Sequence, residues 1–251
     1  MEEKPILRRF IAFTVSEILI TLVIVGVIAA MTIPTLIQKQ QEKQTVVALN
    51  KAYSTLSSAY TLAVQENGTP DNWGLIGINS GQGAINMLNT LAPYLNIVKN
   101  CGTNANCWKT GTYTDINNNI DLNFDSDVRF AKAELSDGSF INILIQNPNC
   151  TGNMGASISL QTVCADIWID INGDKKPNKI GVDLFLFWIS KVGITPLGTK
   201  MDVVVAFNTV CNKTSNVSHN GSACAAWVIY NENLDYLHCN DLAWDGKTKC
   251  D

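Results

Sequence analysis

Residues 10–37 read FIAFTVSEILITLVIVGVIAAMTIPTLI and contain a single charged side chain, Glu17. About 20 apolar residues suffice for a helix to cross a bilayer, so this run predicts a membrane-spanning helix. A carboxylate inside such a run is costly and is normally retained because it has a partner or a task. The role of Glu17 is therefore the first question that this sequence raises.

The segment before the apolar run is short and carries more basic than acidic side chains, with Lys4, Arg8 and Arg9 against Glu2 and Glu3. Basic residues directly before an apolar span keep that end of the chain in the cytoplasm. A secretory signal peptide would end at a small-residue cleavage site. The weak candidate here is Val27-Ile28-Ala29-Ala30-Met31, and the apolar run continues past it. We therefore predict a single-pass protein whose head lies outside the cytoplasm.

Residues 12–22, AFTVSEILITL, resemble the start of type IV prepilins and type II secretion pseudopilins. In that family a prepilin peptidase cuts before a Phe, methylates the new N-terminal amine and leaves a Glu five residues into the mature chain. The resemblance implies cleavage between Ala12 and Phe13, and an assembly role for Glu17. The chain departs from the family at Ala12, where a Gly nearly always precedes the cut.

The resemblance places Glu17 one helical turn from the amine that cleavage would create. A charge at the bilayer centre costs about 2.5–3.5 kcal/mol on insertion scales, and less near an end. The amine of a neighbouring subunit, with a reference pKa of about 7.7–8.0, is cationic and would neutralise this carboxylate. Such a pair would set the axial register of subunits in a filament. The alternative is a Glu at the membrane edge of an ordinary anchor.

The resemblance extends to Gly26 and Pro34. Proline removes a helical hydrogen bond and kinks the helix, and glycine weakens a helix through its backbone entropy. Filament models of the family use such a weak stretch when subunits leave the membrane. Membrane helices in general also carry Gly and Pro, which leaves an ordinary membrane helix as the alternative.

Helical periodicity continues beyond the apolar run, with apolar residues three and four positions apart between 38 and 66. These residues are Val46, Val47, Leu49, Tyr53, Leu56, Tyr60 and Val64. Gly68 and Pro70 then end the pattern. We predict one helix over 13–66, about 80 Å long at 1.5 Å per residue, in which 13–37 form the transmembrane or filament-core part and 38–66 the amphipathic part. Residues 1–12 form a cytoplasmic leader.

Residues 67–251 are long enough for one extracytoplasmic head domain. A helix is expected around 84–95. A strand hairpin is expected over 130–135 and 140–145, around the turn Ser136-Asp137-Gly138-Ser139. Further strands are predicted at 167–171, 183–189, 203–207 and 225–230. Helix first and antiparallel strands afterwards predict an α+β fold, and the resemblance implies the pilin-like form, a long N-terminal helix packed on an antiparallel sheet.

Eight cysteines all follow the apolar helix, which is typical of disulfides in an oxidising compartment. They are Cys101, Cys107, Cys150, Cys164, Cys211, Cys224, Cys239 and Cys250. Eight cysteines allow 105 pairings, and the sequence does not choose among them. Pairing in consecutive order would close short loops and is the arrangement we expect. A zinc site is the rival interpretation, although no C-x-x-C pair occurs.

A second constellation, Asp170, Asn172 and Asp174 around Gly173, resembles the opening of a calcium loop. Asn178 follows at the ninth position, but the twelfth is a glycine, so this is not an EF-hand; Asp183 would have to replace the missing ligand. Some pilins hold calcium in a C-terminal loop, so the resemblance makes calcium the one cofactor to consider. The alternative is an Asx-rich turn between two strands. A further Asn- and Asp-rich stretch, 115–127, is predicted to be a solvated loop.

No motif predicts catalysis. The chain has no G-x-S-x-G and no phosphate-binding loop, and its two histidines, His219 and His238, are of a kind that is more often at the surface or in packing than a catalytic base. A net charge of −4 disfavours nucleic acid held by simple electrostatics. We therefore expect a structural protein rather than an enzyme, with no nucleic-acid partner.

The resemblance implies a pilin-like subunit of the bacterial inner membrane that is later incorporated into a type IV pilus or a type II secretion pseudopilus. Its partners would be the membrane, prepilin peptidase, inner-membrane assembly machinery and other pilin or pseudopilin subunits. Secretion, adhesion, motility and DNA uptake all remain open. The alternative is a membrane-anchored extracytoplasmic binding module, with or without calcium, that never assembles.

Overall fold

The structure is a computed structural model and describes residues 14–108, 112–119 and 121–250. Ala12 and Phe13, the predicted cleavage site, therefore lie outside the described residues. The first element is helix α1, Val15–Asn67. The chain divides into two compact units between Glu42 and Lys43, within this helix, and not at residue 67.

In the first unit, the part of α1 up to residue 37 makes no apolar core. Every large apolar side chain from Val15 to Ile37 is exposed. This is the one described helix that is long and apolar enough to cross a membrane, with a mean hydropathy of 2.5 in its most apolar window. The helix runs through Gly26 and Pro34 without interruption. The prediction that these two residues weaken it during assembly stays a prediction.

In the second unit, the remainder of α1 is amphipathic, as the periodicity predicts. Leu49, Leu56 and Tyr60 are buried. The Tyr60 hydroxyl donates to the backbone oxygen of Ser190 at 2.8 Å, which fixes the helix against the sheet. The helix ends as expected, because the backbone at Gly68 turns to a φ of 73° and its N–H closes the last turn.

The second unit is built around a six-stranded antiparallel sheet, which confirms the α+β class. The strands of this sheet are β1 (Ile97–Gly102), β4 (Ala131–Leu135), β5 (Phe140–Ile145), β6 (Val163–Asp170), β7 (Leu184–Ser190) and β8 (Ile194–Pro196), and they lie in the order β1-β4-β5-β6-β7-β8. A separate ribbon pairs β2 (Tyr113–Thr114) with β3 (Asp121–Leu122). The helices are α2 (Gly81–Leu91), α3 (Ile158–Gln161), α4 (Phe207–Val210) and α5 (Cys224–Asn231), with short 3-10 turns at Pro70–Asn72, Ala92–Tyr94 and Asp235–Leu237.

Both faces of this sheet are covered, so its central strands are buried along their whole length. Alternate residues of β6, such as Ile167, pack in the core that includes α1. The residues between them, such as Trp168, belong to a second aromatic cluster with Phe124 and Phe140. We call this second side the outer face. Loops and disulfide-bonded segments cover it.

All four disulfides join consecutive cysteines, which confirms the expected pairing. The bonds are Cys101–Cys107, Cys150–Cys164, Cys211–Cys224 and Cys239–Cys250. Every cysteine of the chain is thus paired with another, so the rival thiolate zinc site is wrong.

The hairpin over β4 and β5 is confirmed, and so are the strands at β6 and β7. Two predicted strands are wrong. Residues 203–205 form a bend, and Phe207 begins α4, because the Asp202 carboxylate accepts hydrogen bonds from the N–H groups of Val204 and Val205, which competes with strand pairing. Residues 225–230 lie in α5, a short helix whose first five residues are all buried, a case in which periodicity does not separate helix from strand.

Candidate functional site

Glu17 lies in the first turn of α1 and forms a capping box with Thr14. Its Oε2 accepts hydrogen bonds from Thr14 N and Thr14 Oγ1, each at 2.8 Å, and Glu17 N donates to Thr14 Oγ1 at 3.2 Å. This reciprocal pattern satisfies donors that a helix start otherwise leaves unpaired. The sequence signal, Thr14-Val15-Ser16-Glu17, fits the capping-box pattern S/T-x-x-E. This role was not among the predictions made from the sequence.

The capping box leaves half of the carboxylate open. In the part of the chain that the structure describes, only Oε2 of Glu17 is engaged, and the residue is exposed. Its Oε1 atom can therefore accept a further donor from another molecule while the box remains intact. The site thus combines an exposed apolar helix with one carboxylate oxygen that has no partner among the residues that the structure describes.

The predicted calcium loop is an Asx turn. Asp170 Oδ1 accepts from Asn172 N at 3.0 Å and from Gly173 N at 2.8 Å, which is the turn alternative. Gly173 has a φ of 62°, and a Cβ there would lie 2.0 Å from the Gly138 oxygen, so the tight turn itself requires glycine.

The acids of this loop are engaged by backbone N–H groups rather than gathered as a cluster. Asp183 accepts from Asn178 N at 2.7 Å and from Lys179 N at 2.6 Å, while Asp174 is exposed and stands apart. Asn172 does join Asp183 through a 3.3 Å hydrogen bond. Among the residues described, no three or more His, Cys, Asp and Glu side chains are placed to hold a metal. Calcium binding at this loop stays a prediction.

These buried carboxylates are electrostatically unusual. Burial raises the pKa of Asp170 to about 7, and the charge of nearby Asp183 adds to the rise. The hydrogen bond that the Tyr113 hydroxyl donates to Asp170 Oδ2 acts in the opposite direction. Burial also raises the pKa of Asp183 against the backbone N–H groups that bind it. Two acids close together in a low-dielectric loop favour protonation.

The stretch 115–127 is not the solvated loop that its composition predicts. Asp115 is fully buried, and its Oδ1 accepts from Asn117 N and Asn119 N. Asp125 accepts three backbone N–H groups from residues 106–108. Asp115 and Asp125 therefore hold covering segments of the outer face in place.

A buried lysine, which sequence reasoning also missed, anchors the same segment. Lys132, on β4, has no exposed surface, and its Nζ donates to the backbone oxygens of Thr103, Phe124, Asp125 and Asp127 at 2.8–3.3 Å. Burial lowers its pKa, and the charges of Asp125 and Asp127 oppose that shift. An alternating strand such as AKAEL normally turns its lysine to solvent, so the sequence carries no signal for this role.

One histidine contacts its neighbour in sequence. His219 Nδ1 lies 2.8 Å from the Ser218 hydroxyl, and partial burial lowers the pKa of its imidazole. Our expectation of a structural protein rather than an enzyme stays a prediction.

Comparison of the chain with protein-family models, with curated proteins and with solved structures gives no match.

Proposed function

We propose that this protein is a pilin-like structural subunit. It is inserted in the bacterial inner membrane, cut between Ala12 and Phe13, and assembled into a type IV pilus or type II secretion pseudopilus through residues 13–37. The observation that carries the proposal is the exposed apolar surface of α1 from Val15 to Ile37, interrupted by one carboxylate. A surface of this kind needs a bilayer or other apolar helices around it.

The head supports an extracytoplasmic location. Four disulfides close it, and disulfides persist in oxidising compartments such as the bacterial periplasm. In the proposed filament the apolar parts of α1 form the core, and Glu17 Oε1 accepts the cationic amine of a neighbouring subunit.

A second candidate function is favoured by the capping box. Thr14 already satisfies one oxygen of Glu17, so this carboxylate has a task within its own chain and needs no partner subunit. The protein would then be a membrane-anchored extracytoplasmic binding module, cytoplasmic at its N terminus, that does not assemble.

Three variants separate the two roles of Glu17. Glu17→Gln keeps an acceptor for the capping box, because Gln serves at this position as well as Glu, but removes the charge. Thr14→Ala removes the two hydroxyl hydrogen bonds of the box and keeps the charge. Glu17→Ala removes the charge and the side-chain half of the capping box, and leaves the N–H of residue 17 bound to Thr14 Oγ1. Each variant is expressed in the native host, and its amount is compared in the inner-membrane fraction and in the sheared filament fraction.

The filament proposal predicts that Glu17→Gln and Glu17→Ala are inserted in the membrane but absent from filaments, whereas Thr14→Ala still assembles. If Glu17→Gln assembles like the unmodified chain, the charge has no register role. If the unmodified chain itself never enters a filament or pseudopilus fraction, the anchored module becomes the better account.

A further inference from the structure

The loop between β6 and β7, residues 171–183, lies at one end of the sheet, beside the turn between β4 and β5. A Cβ placed on Gly173 would lie 2.0 Å from the oxygen of Gly138, so the loop and the turn touch. Asp137 of the turn binds Lys51 of α1, with 2.7 Å between Oδ2 and Nζ. The loop, the turn and the helix therefore meet at this end of the sheet.

This end of the sheet is also the one at which the second unit begins. Ala48 of α1 and Ile171 of the loop line one crevice of about 140 Å³. Lys43 is the first residue of the second unit. At a rise of 1.5 Å per residue it lies about 7 Å before Ala48 along the helix. In sequence it follows Ile37, the last residue of the apolar run, by only six positions.

Lysines without acidic partners gather here. Lys175 and Lys176 are exposed on the loop, Lys43 is exposed on α1, and Lys179 is half-buried. Among the residues that the structure describes, none of these four amines forms an ion pair. By contrast, the Lys200 amine lies 2.5 Å from an aspartate oxygen. We call this set the lysine patch: Lys43, Lys175, Lys176 and Lys179.

The neighbouring acids reduce the positive charge of the lysine patch but do not cancel it. Asp170 and Asp183 are buried, with their oxygens bound to backbone N–H groups of the loop. Asp174 is exposed between them, and Glu42 directly precedes the patch in sequence. Four lysines therefore stand against two acids outside the buried pair, on a chain whose net charge is −4.

We propose that the lysine patch binds the anionic headgroups of the bilayer that holds α1. A basic segment next to a membrane span is attracted to anionic lipid, and the attraction falls off within a Debye length. The amines would donate to phosphate oxygens of the lipid and hold this end of the head at the membrane surface. The inference rests on the insertion of α1 in a membrane, which both functions proposed above require.

A free polyanion such as DNA is the principal competitor, because it presents phosphate groups of the same kind. Affinity for a free polyanion depends on many phosphate contacts and falls steeply with salt, and a patch of four lysines offers few. A lipid surface that holds the same chain is present at a high effective concentration, so few contacts are enough. We therefore favour the bilayer.

The test uses the full chain in lipid nanodiscs, made either of phosphatidylcholine alone or of an equimolar mixture with the anionic lipid phosphatidylglycerol. Lysine amines are acetylated with an uncharged reagent, and the rate at each lysine is read by peptide mass spectrometry. A chelator is present, so that calcium plays no part. We expect Lys175 and Lys176 to react about three- to tenfold more slowly in the anionic discs.

Two controls show whether this slowing comes from nearby anionic lipid. Lys191 follows the other end of β7, so its acetylation rate should be the same in both kinds of disc. In 1 M salt the Debye length is about 3 Å, and the difference between the discs should disappear at Lys175 and Lys176.

Two double variants test whether the lysines act together. Lys175→Gln, Lys176→Gln removes two exposed charges of the patch, and we expect the slower acetylation of Lys179 in anionic discs to be lost. Lys191→Gln, Lys200→Gln removes two charges outside the patch, and Lys179 should stay protected. Circular dichroism checks that both variants are folded.

The proposal is overturned if Lys175 and Lys176 react equally in the two kinds of disc, or if Lys43 alone is protected, which confines lipid contact to residues next to the span. It is also overturned if the patch variant keeps full protection of Lys179. Protection of the loop by duplex DNA in neutral discs, without protection by anionic lipid, would identify a polyanion site. A chain that enters neither disc would instead contradict membrane insertion itself, so the two failures are distinguishable.

Discussion

The two compact units of this chain solve the problem of apolar surface in opposite ways. The first, up to Glu42, exposes every large apolar side chain from Val15 to Ile37, whereas the second, Lys43–Asp251, buries leucines, isoleucines and aromatic rings on both faces of one sheet. The second unit is complete by itself, and the first is not. The exposed helix is therefore the part that needs partner molecules, and the buried core of the head is the part that determines the stability of the fold.

The strongest way to break this comparison is to separate the units. A chain that begins at Lys43 keeps every buried residue of the head core, the first of which is Leu49. We expect it to be soluble without detergent, absent from the membrane fraction, and to melt within a few degrees of the full chain. Sedimentation measures the solubility of the fragment and its absence from the membrane fraction, and circular dichroism measures its melting temperature. An aggregated or unfolded fragment would mean that the first unit contributes to the stability of the head.

Matched leucines within α1 sharpen the comparison. Leu56 is 1% exposed and Leu36 is 65% exposed. We expect Leu56→Ala to lower the free energy of unfolding of the head by about 2–5 kcal/mol through loss of burial and a residual cavity. Leu36→Ala should change it by less than about 0.5 kcal/mol. Denaturant titration in detergent compares the two, and similar losses would contradict the division of the helix.

Disulfide removal tests how far the head depends on covalent closure. Cys150 and Cys164 are both fully buried and close a loop 14 residues long. Replacing both with Ala should cost about 3 kcal/mol on the chain-entropy estimate for a loop of this length. Thermal melting of the oxidised protein is the measurement. An unchanged melting temperature would show that packing alone fixes this segment.

The pH dependence of the head is a smaller effect, with a definite sign. Burial raises the pKa of Asp166 and of Asp170 to about 7, against about 3.9 in the unfolded chain. The folded state therefore binds these protons more tightly, so the free energy of unfolding is largest near pH 4 and falls as the pH rises towards 7. We expect the free energy of unfolding to fall steadily over this range.

Below pH 4 the trend reverses, and the free energy of unfolding falls as the pH falls. The reason is that hydrogen bonds and ion pairs lower the pKa of Asp71, Asp127 and Asp137 in the folded state. Melting temperatures between pH 3 and pH 8 should therefore pass through a maximum near pH 4–5. The double variant Asp166→Asn, Asp170→Asn should flatten the decline above that maximum. A decline that survives in this variant would assign it to other groups.

The parts of this fold that the sequence predicts are those with a strong local signal. The apolar run and the Gly68 stop define α1, and the Asp137-Gly138 turn defines the hairpin of β4 and β5. Consecutive cysteines pair because the segments between them are short loops.

Most of what the sequence did not predict depends on distant contacts. The capping box of Thr14 and Glu17 is the exception, because it did have a local sequence signal. By contrast, the burial of Lys132 and Asp115 depends on backbone groups brought together by the fold, and the Asp202 carboxylate prevents a valine-rich stretch from pairing as a strand. The lysine patch joins α1 to a loop far along the chain, so no short motif announces it.

The most direct test of the filament proposal is the N terminus of the protein extracted from membranes of its native host, read by intact mass and by the N-terminal peptide. The proposal predicts a chain that begins at methylated Phe13. A chain that still carries residues 1–12, in cells whose other prepilins are cut, would contradict it and identify an anchored module in which Ala12 blocks processing.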